Sequence, residues 1–201
     1  GEDGSDTVNV DDTSDTSGNT GNLTGTALTG LGMSAGITYG TVEALNISLG
    51  SGDDTVTVAS THANNTVLNT LGGGDTVNVQ TVAGVTVVNT GAGADTTNVQ
   101  KIDAKTTVNA GDGADTITGG EDADTLTGGA GQDIFVYNSR NDEGDVVTDF
   151  TPGEGGDLLD FRPLFSSLGY TGADPFGEGW LELEQDGDDL NINLDRNGGG
   201  D

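Results

Sequence analysis

Apolar and polar residues alternate along short segments in the middle of the chain, and the alternation returns at a nearly constant interval. Three such segments, spaced 20 residues apart along the chain, align with one another: 65–70, 85–90 and 105–110. In this alignment Leu68, Val88 and Val108 form one apolar column. Because successive side chains of a β-strand point to opposite faces, the pattern predicts short strands with one buried face. A fixed repeat of this length predicts that the strands stack as the coils of a solenoid.

A second apolar column is predicted from strands that begin just after a recurring aspartate. Its members are Val56, Val77, Ile117, Leu126 and Phe135, with Thr97 as a polar exception. Each coil is therefore expected to contain two short parallel strands whose apolar columns face each other inside the stack. A column of amides, Asn69, Asn89 and Asn109, is expected to form a hydrogen-bonded ladder at the corner without a glycine loop.

These patterns predict an all-β fold, a right-handed parallel β-roll (β-solenoid) with coils of about 20 residues and a small C-terminal β-rich cap. Composition divides the chain into three parts. Residues 1–48 form an irregular β-rich segment with one leading repeat, 49–136 form the regular roll, and 137–201 form the cap. Four of the five Phe and the only Trp lie in the last part, so that end can build a small conventional core.

The recurring aspartates stand behind glycine-spaced loops and set two different intervals. The sequence numbers of Asp54, Asp75, Asp95 and Asp115 rise in steps of 21, 20 and 20, whereas Asp124 and Asp133 follow at steps of 9. Two steps of 9 make nearly one full interval, so Asp133 is predicted to continue the edge of the roll that carries Asp115. Asp124, midway between them, is predicted to lie on the opposite edge.

A hard cation is the ligand that this pattern favours. Calcium takes six to eight oxygen ligands from carboxylates and backbone carbonyls, and glycines let consecutive carbonyls turn toward one point. The formal charge of −29 excludes nucleic acid and anionic membrane surfaces as partners, because both would be repelled. With only 31% hydrophobic residues, the metal-free chain is predicted to be largely disordered. There are no cysteines, which excludes thiolate metal sites.

The repeats resemble the calcium-binding nonapeptide of the RTX (repeats-in-toxin) family, Gly-Gly-x-Gly-x-Asp-x-apolar-x. Residues 119–127 and 128–136 look like two consecutive copies, with Asp122 at a position where the family has glycine. In that family calcium ions lie between the loops of a parallel β-roll. The resemblance therefore implies several Ca²⁺ ions held by Asp54, Asp75, Asp95, Asp115, Asp124 and Asp133 and by loops containing Gly50, Gly52, Gly73, Gly91, Gly93, Gly111, Gly113, Gly120, Gly129 and Gly131.

The resemblance extends beyond the repeats. Residues 133–137, 144–154 and 157–161 are similar to the segment that closes RTX rolls, and 179–183 with 190–195 resemble strands of the C-terminal type I secretion domain. Asp142, Glu143 and Asp145 either form a solvated acidic turn or close the site that faces Asp124, for which Asp145 is the favoured ligand. His62 is expected to be a solvated loop residue.

No catalytic constellation is present, because one His, no Cys and loop serines without a basic partner cannot form a nucleophilic triad. The sequence therefore predicts that the chain is not an enzyme.

The expected function is a calcium-dependent structural module of a secreted or cell-surface bacterial RTX protein, of adhesin or surface-layer type, that folds after type I export. The alternative is the export and folding tail of a secreted enzyme or toxin. Ice binding is disfavoured, because the loops lack a flat array of Thr and Asn. Membrane insertion is not expected, because no apolar run reaches the roughly 20 residues of a span.

Overall fold

A computed structural model describes residues 4–100, 104–186 and 189–195. The chain divides into two compact units, the first ending at Leu164 and the second beginning at Phe165. The strands in chain order are β1 (Thr7–Asp11), β2 (Thr20–Leu23), β3 (Ala27–Gly30), β4 (Ile37–Thr38), β5 (Ala44–Ser48), β6 (Thr55–Val58), β7 (Asn65–Asn69), β8 (Thr76–Val79), β9 (Thr86–Ala92), β10 (Thr96–Val99), β11 (Thr106–Asp112), β12 (Thr116–Thr118), β13 (Thr125–Ala130), β14 (Ile134–Val136), β15 (Val146–Val147), β16 (Leu158–Asp160), β17 (Leu181–Asp186) and β18 (Asp189–Leu194). One short helix, α1, spans Arg162–Ser167.

The first unit is a parallel β-solenoid of about 6 turns, which confirms the predicted fold class. Sheet A has the strand order β1-β5-β7-β9-β11-β13-β15, and sheet B has the order β16-β14-β12-β10-β8-β6-β2-β3-β4. The chain passes from a strand of one sheet to a strand of the other and back again in each coil. Neighbouring parallel strands within a sheet are therefore one full coil apart in sequence, as Thr76 and Thr96 are, and this agrees with the predicted spacing.

Two apolar columns fill the interior between the sheets. In sheet A the column runs through Ile47, Leu68, Val88, Val108 and Leu126, each in register with the next and at most 1% exposed. In sheet B it runs through Val56, Val77, Thr97, Ile117 and Phe135. Leu126 was predicted in the second column and belongs to the first, because β13 follows a loop on the opposite edge of the solenoid.

The predicted amide ladder forms, but its predicted place at a corner was wrong. Asn109 donates to the side-chain oxygen of Asn89, and Asn89 donates to that of Asn69, both at 2.7 Å. These residues lie within strands on the outer face of sheet A, where a half-exposed amide can reach the identical side chain one coil away. A second ladder joins Asn98 to Asn78 at 3.0 Å on the outer face of sheet B.

The solenoid also includes strands from residues 1–48, the segment that precedes the predicted roll. β1 pairs with β5 and β2 pairs with β6, both in parallel, so residues 4–23 form a coil of the same two sheets. The chain then makes an excursion in which β3 pairs antiparallel with β2 and β4 pairs antiparallel with β3. Leu28, Leu31 and Tyr39 from this excursion are buried in the core. The proposed division into three domains stays a prediction.

Aromatic residues pack at the last coil of the first unit. Phe135 contacts Phe150 with ring centroids 6.3 Å apart, and Tyr137 stacks on Phe161 at 4.9 Å. In the second unit β17 and β18 form an antiparallel hairpin, in agreement with the predicted small C-terminal β segment. There Tyr170 packs between Phe165 and Trp180, at 5.0 and 5.2 Å.

Candidate metal centre

The loops that join the sheets form two edges of the solenoid. The loops that lead from sheet A into sheet B form what we call the first edge. The loops that lead from sheet B into sheet A form the second edge. Five of the predicted aspartates immediately precede sheet B strands and so lie on the first edge: Asp54, Asp75, Asp95, Asp115 and Asp133. Asp124 and Asp145 precede β13 and β15 of sheet A and lie on the second edge.

The first-edge aspartates are connected by a continuous ladder of hydrogen bonds. The backbone N–H of each aspartate donates to the side-chain Oδ1 of the aspartate one coil later in the chain. The distances are 2.7 Å for Asp54 to Asp75, 2.7 Å for Asp75 to Asp95, 2.8 Å for Asp95 to Asp115 and 3.0 Å for Asp115 to Asp133. The carboxylates therefore stack in register with the coils and satisfy one buried backbone donor each.

The other carboxylate oxygens have a different environment. Within the part of the chain that the structure describes, five Oδ2 atoms are buried and have no hydrogen-bond partner: those of Asp75, Asp95, Asp115, Asp124 and Asp133. The residues themselves are at most 2% exposed. Burying an ionised carboxylate oxygen without a partner is unfavourable, so each one needs a proton or a cation.

The pKa values of the buried aspartates reflect the same cost of burying an ionised carboxylate. Burial raises the pKa of Asp75, Asp115 and Asp124 to about 6, and the neighbouring carboxylates add to the shift. Burial also raises the pKa of Asp54 and Asp133. At pH 7 Asp75, Asp115 and Asp124 are therefore mostly ionised, so the metal-free edges carry charge that their surroundings do not stabilise.

The glycines permit the loops to stack without side chains between them. A Cβ atom on Gly93 would overlap the carbonyl oxygen of Gly73, and one on Gly113 would overlap that of Gly93. The same overlap recurs for Gly131 above Gly113. These glycines have φ of +147°, +155° and +146°, in a region that other residues rarely adopt. Each of these glycines therefore lies directly against the backbone carbonyl of the equivalent glycine one coil earlier along the first edge.

The other glycines predicted to line the calcium loops also lie close to the backbone of a neighbouring coil. Gly50 and Gly52 lie against the backbone of residues 15–18, and Gly73 lies against Gly52. A second row consists of Gly91, Gly111 and Gly129, each above the carbonyl of the preceding coil. Leu71 occupies the first position of this row with a φ of +73°, although it carries a side chain. On the second edge Gly120 lies against the carbonyls of Val99 and Gln100.

The second edge repeats the ladder over a shorter length. The backbone N–H of Thr106 donates to Asp124 Oδ1 at 2.8 Å, and that of Asp124 donates to Asp145 Oδ1 at 2.9 Å. Burial raises the pKa of Asp145 to about 7. Asp122 has a positive φ of +76°, whereas Gly131, at the equivalent position of the next repeat, has a φ of +146°.

Of the three acidic residues in the following turn, the structure brings Asp145 to Asp124. Asp142 instead accepts hydrogen bonds from the backbone N–H groups of Asn138 and Ser139, and Glu143 is exposed.

His62 is not the solvated residue that the sequence predicted. It is half-buried on the second edge, where its ring packs edge-on against Tyr39 with centroids 6.2 Å apart. Its Nδ1 lies 3.2 Å from the Thr66 hydroxyl. Burial lowers the pKa of His62, which keeps the ring neutral near pH 7.

Three residues of the first edge were missed by the sequence analysis. Asn19 occupies the aspartate position of the earliest coil and donates its backbone N–H to Asp54 at 2.8 Å. Asp149 and Asp157 lie in the loop between β15 and β16 and accept hydrogen bonds from the loop of residues 128–133, one coil earlier. The signal for Asp157 was present, because Gly156 precedes it and Leu159, two positions later, is in register with Phe135.

The donor set fits a hard cation. All candidate ligands are carboxylate or carbonyl oxygens, which Ca²⁺ prefers, and the buried Oδ2 atoms supply the negative charge. Among the described residues no three acidic or histidine side chains converge on one point. An ion on these edges would therefore need backbone carbonyl oxygens in addition to aspartate.

The fold and the aligned buried aspartates define a calcium-binding β-solenoid. Residues 105–142 match the family model described as the RTX calcium-binding nonapeptide repeat (4 copies). The chain thus contains RTX repeats, and the matched segment includes Asp115, Asp124 and Asp133. The coils carrying Asp54, Asp75 and Asp95 continue the same ladder outside the matched range. No curated protein and no solved structure gave a match.

Proposed function

We propose that the chain is a structural, non-catalytic module that folds when it binds calcium and that belongs to a secreted bacterial protein of adhesin or surface-layer type. One observation carries the proposal. In a column of buried aspartates, one carboxylate oxygen of each residue accepts a hydrogen bond from a backbone N–H, and the other oxygen has no hydrogen-bond partner. Calcium would neutralise these oxygens only in the folded state, so its binding free energy would add to folding.

Composition supports the same conclusion. The chain has 34 acidic and 5 basic residues, so the metal-free solenoid concentrates repulsion along its two edges. Millimolar calcium outside a cell is enough for sites with dissociation constants of about 10⁻⁴ to 10⁻³ M. At low cytosolic calcium the chain would stay unfolded, which suits export through a type I secretion channel.

Circular dichroism of the purified chain in chelator and in calcium tests the proposal. We expect a weakly structured chain in chelator and a β-rich spectrum in millimolar Ca²⁺, with a smaller response to Mg²⁺. Asp95→Asn should raise the calcium midpoint, whereas Asp112→Asn, an exposed residue of the next loop, should not. Identical spectra in chelator and in calcium would contradict the proposal.

The alternative is a C-terminal export and folding tail of a secreted enzyme or toxin. The observation that favours it is the second compact unit, whose hairpin places apolar residues on one face and acidic residues on the other. Leu183 and Leu190 of that face are 50% and 54% exposed. Among the described residues, no helix is long and apolar enough to cross a membrane. Export of a passenger fused to residues 165–201 would favour the tail, and export that needs the solenoid instead would favour the structural module.

A further inference from the structure

The first-edge loop of residues 128–133 is followed by one short coil, formed by β15 and β16. β13 continues to Ala130, but its partner β15 pairs only with Thr125 and Leu126. In the preceding coil the equivalent residue, Gly111, is covered by Gly129 of the next strand. The backbone N–H groups of Gly128 and Gly129 therefore have no following strand to which they can donate.

Asp149 takes the place of that missing strand. Its Oδ1 accepts the N–H of Gly128 at 3.0 Å, and its Oδ2 accepts the N–H of Gly129 at 2.7 Å. Both oxygens are thus used by the backbone of the loop of residues 128–133. Hydrogen bonds to an ionised acceptor are stronger than those between neutral groups, so one carboxylate can replace two strand contacts.

Asp157 closes the other half of the same loop. Its Oδ1 accepts the N–H of Asp133 at 3.0 Å, which extends the first-edge ladder by one step. Its Oδ2 differs from those of Asp75, Asp95, Asp115 and Asp133, because it accepts the N–H of Thr151 at 2.7 Å. Asp157 is buried, and neither oxygen is left without a partner for a cation.

We propose that Asp149 and Asp157 form a carboxylate clamp that positions the first-edge loop of residues 128–133 for calcium without being calcium ligands themselves. The clamp shapes the loop and ends the row of ion-binding carboxylates at Asp133. This inference rests on the proposed calcium-driven folding.

Asn substitutions separate a positioning role from a ligand role, because Asn keeps one acceptor oxygen and loses the other. Asp149→Asn and Asp157→Asn are compared with Glu154→Gln, which removes the same charge from an exposed position in the same turn. Asp133→Asn serves as the variant that removes a ligand. Each variant of the full chain is titrated with Ca²⁺, and the calcium midpoint of folding and the number of ions bound at saturation are measured.

We expect both clamp variants to bind the wild-type number of ions and to raise the calcium midpoint about two-fold or more over Glu154→Gln, because each loses one charged hydrogen bond in the folded state. Asp133→Asn should bind fewer ions. Amide chemical shifts in saturating calcium provide a local signature. Asp149→Asn should move the Gly128 and Gly129 signals, and Asp157→Asn should move those of Asp133 and Thr151.

Fewer ions in either clamp variant would make that aspartate a ligand and overturn the proposal. A midpoint equal to that of Glu154→Gln, or amide shifts that spread evenly over the solenoid, would also overturn it. If Asp157→Asn does not fold at any calcium concentration, Asp149→Asn decides alone. A wild-type chain that ignores calcium would instead contradict the proposed function, so the two failures are distinguishable.

Discussion

The backbone N–H of Asp95 donates a hydrogen bond of 2.8 Å to the carboxylate of Asp115, one coil further along the chain. The same carboxylate has a second oxygen that is buried and without a partner among the described residues. Each first-edge aspartate of this kind thus has two separate tasks, holding the neighbouring coil and presenting charge to a cation. Substitutions that separate the tasks have effects of opposite sign in the presence and absence of calcium.

Asp115→Asn keeps an oxygen for the N–H of Asp95 and removes the buried charge. In chelator we expect the variant to be more structured than wild type at pH 7.5, because a desolvated carboxylate has been neutralised. In saturating calcium we expect it to be less stable by about 1–3 kcal/mol, because one anionic ligand is lost. Denaturant unfolding under both conditions checks the reversal. Asp112→Asn, at an exposed position three residues earlier in the same loop, should change neither value.

The metal-free protein should gain stability as the pH falls. Burial raises the pKa of Asp75, Asp115 and Asp124 to about 6 and that of Asp145 to about 7, against 3.8 for the ordinary group. The folded state therefore binds more protons than the unfolded chain between about pH 4 and pH 7, so its stability falls as pH rises through that window.

Circular dichroism of the calcium-free chain at pH 5 and at pH 7.5 measures this effect, and the structured fraction should be larger at pH 5. Combining Asp115→Asn with Asp124→Asn should flatten the dependence, because two of the titrating groups are gone. In saturating calcium the trend should reverse, since protons then compete with the ion. A metal-free chain that loses structure on acidification would show that the buried carboxylates do not limit folding.

Thr97→Val should stabilise the calcium-loaded protein. Thr97 lies in the apolar column between Val77 and Ile117, and its buried hydroxyl has no hydrogen-bond partner in the described structure. Valine has nearly the same shape and removes the unsatisfied group, so we expect a gain of about 1 kcal/mol in the free energy of unfolding. Thr96→Val, on the outward face of the same strand, is the matched control and should give no comparable gain.

Leu71→Gly should give a more stable solenoid than Leu71→Ala. Leu71 has a φ of +73°, whereas the equivalent positions of the next coils are Gly91, Gly111 and Gly129. Its side chain is 43% exposed, so both substitutions lose a similar part of its burial, and only Leu71→Gly relieves the left-handed conformation, which contributes about 1 kcal/mol. Thermal unfolding in calcium measures the change. Leu71→Ala keeps a Cβ atom and therefore the strain, and it should unfold at a lower temperature than Leu71→Gly.

The periodicity of the sequence predicted much of this architecture. The spacing of Leu68, Val88 and Val108 gave the coil length, and the half-coil step to Asp124 placed that residue on the second edge. Both inferences depend only on the alternation of side chains along a strand and on a constant length of chain per coil. The periodicity of the side chains does not depend on the conformation of the loops, so it predicts the coils even where the loop sequences differ.

Other features depend on interactions that spacing does not contain. The carboxylate clamp was missed because the interval from Asp133 to Asp157 lengthens to 24 residues, and because Asp149 acts from outside any repeat. The Asn ladder was misplaced because an amide column is equally regular on a sheet face and at a corner. Leu126 was assigned to the wrong column because both edges use the same loop motif.

The excursion between β2 and β5 also limits how copies of this protein can associate. The unpaired backbone groups at an open edge of a parallel sheet can pair with a strand from another molecule. Stacked coils can grow into fibrils in this way. At one end of sheet B that edge is covered by the antiparallel strand β3 and then by β4, which is only 2 residues long. A second molecule therefore finds no matching parallel strand there, and calcium can order this sheet without starting its polymerisation from that end.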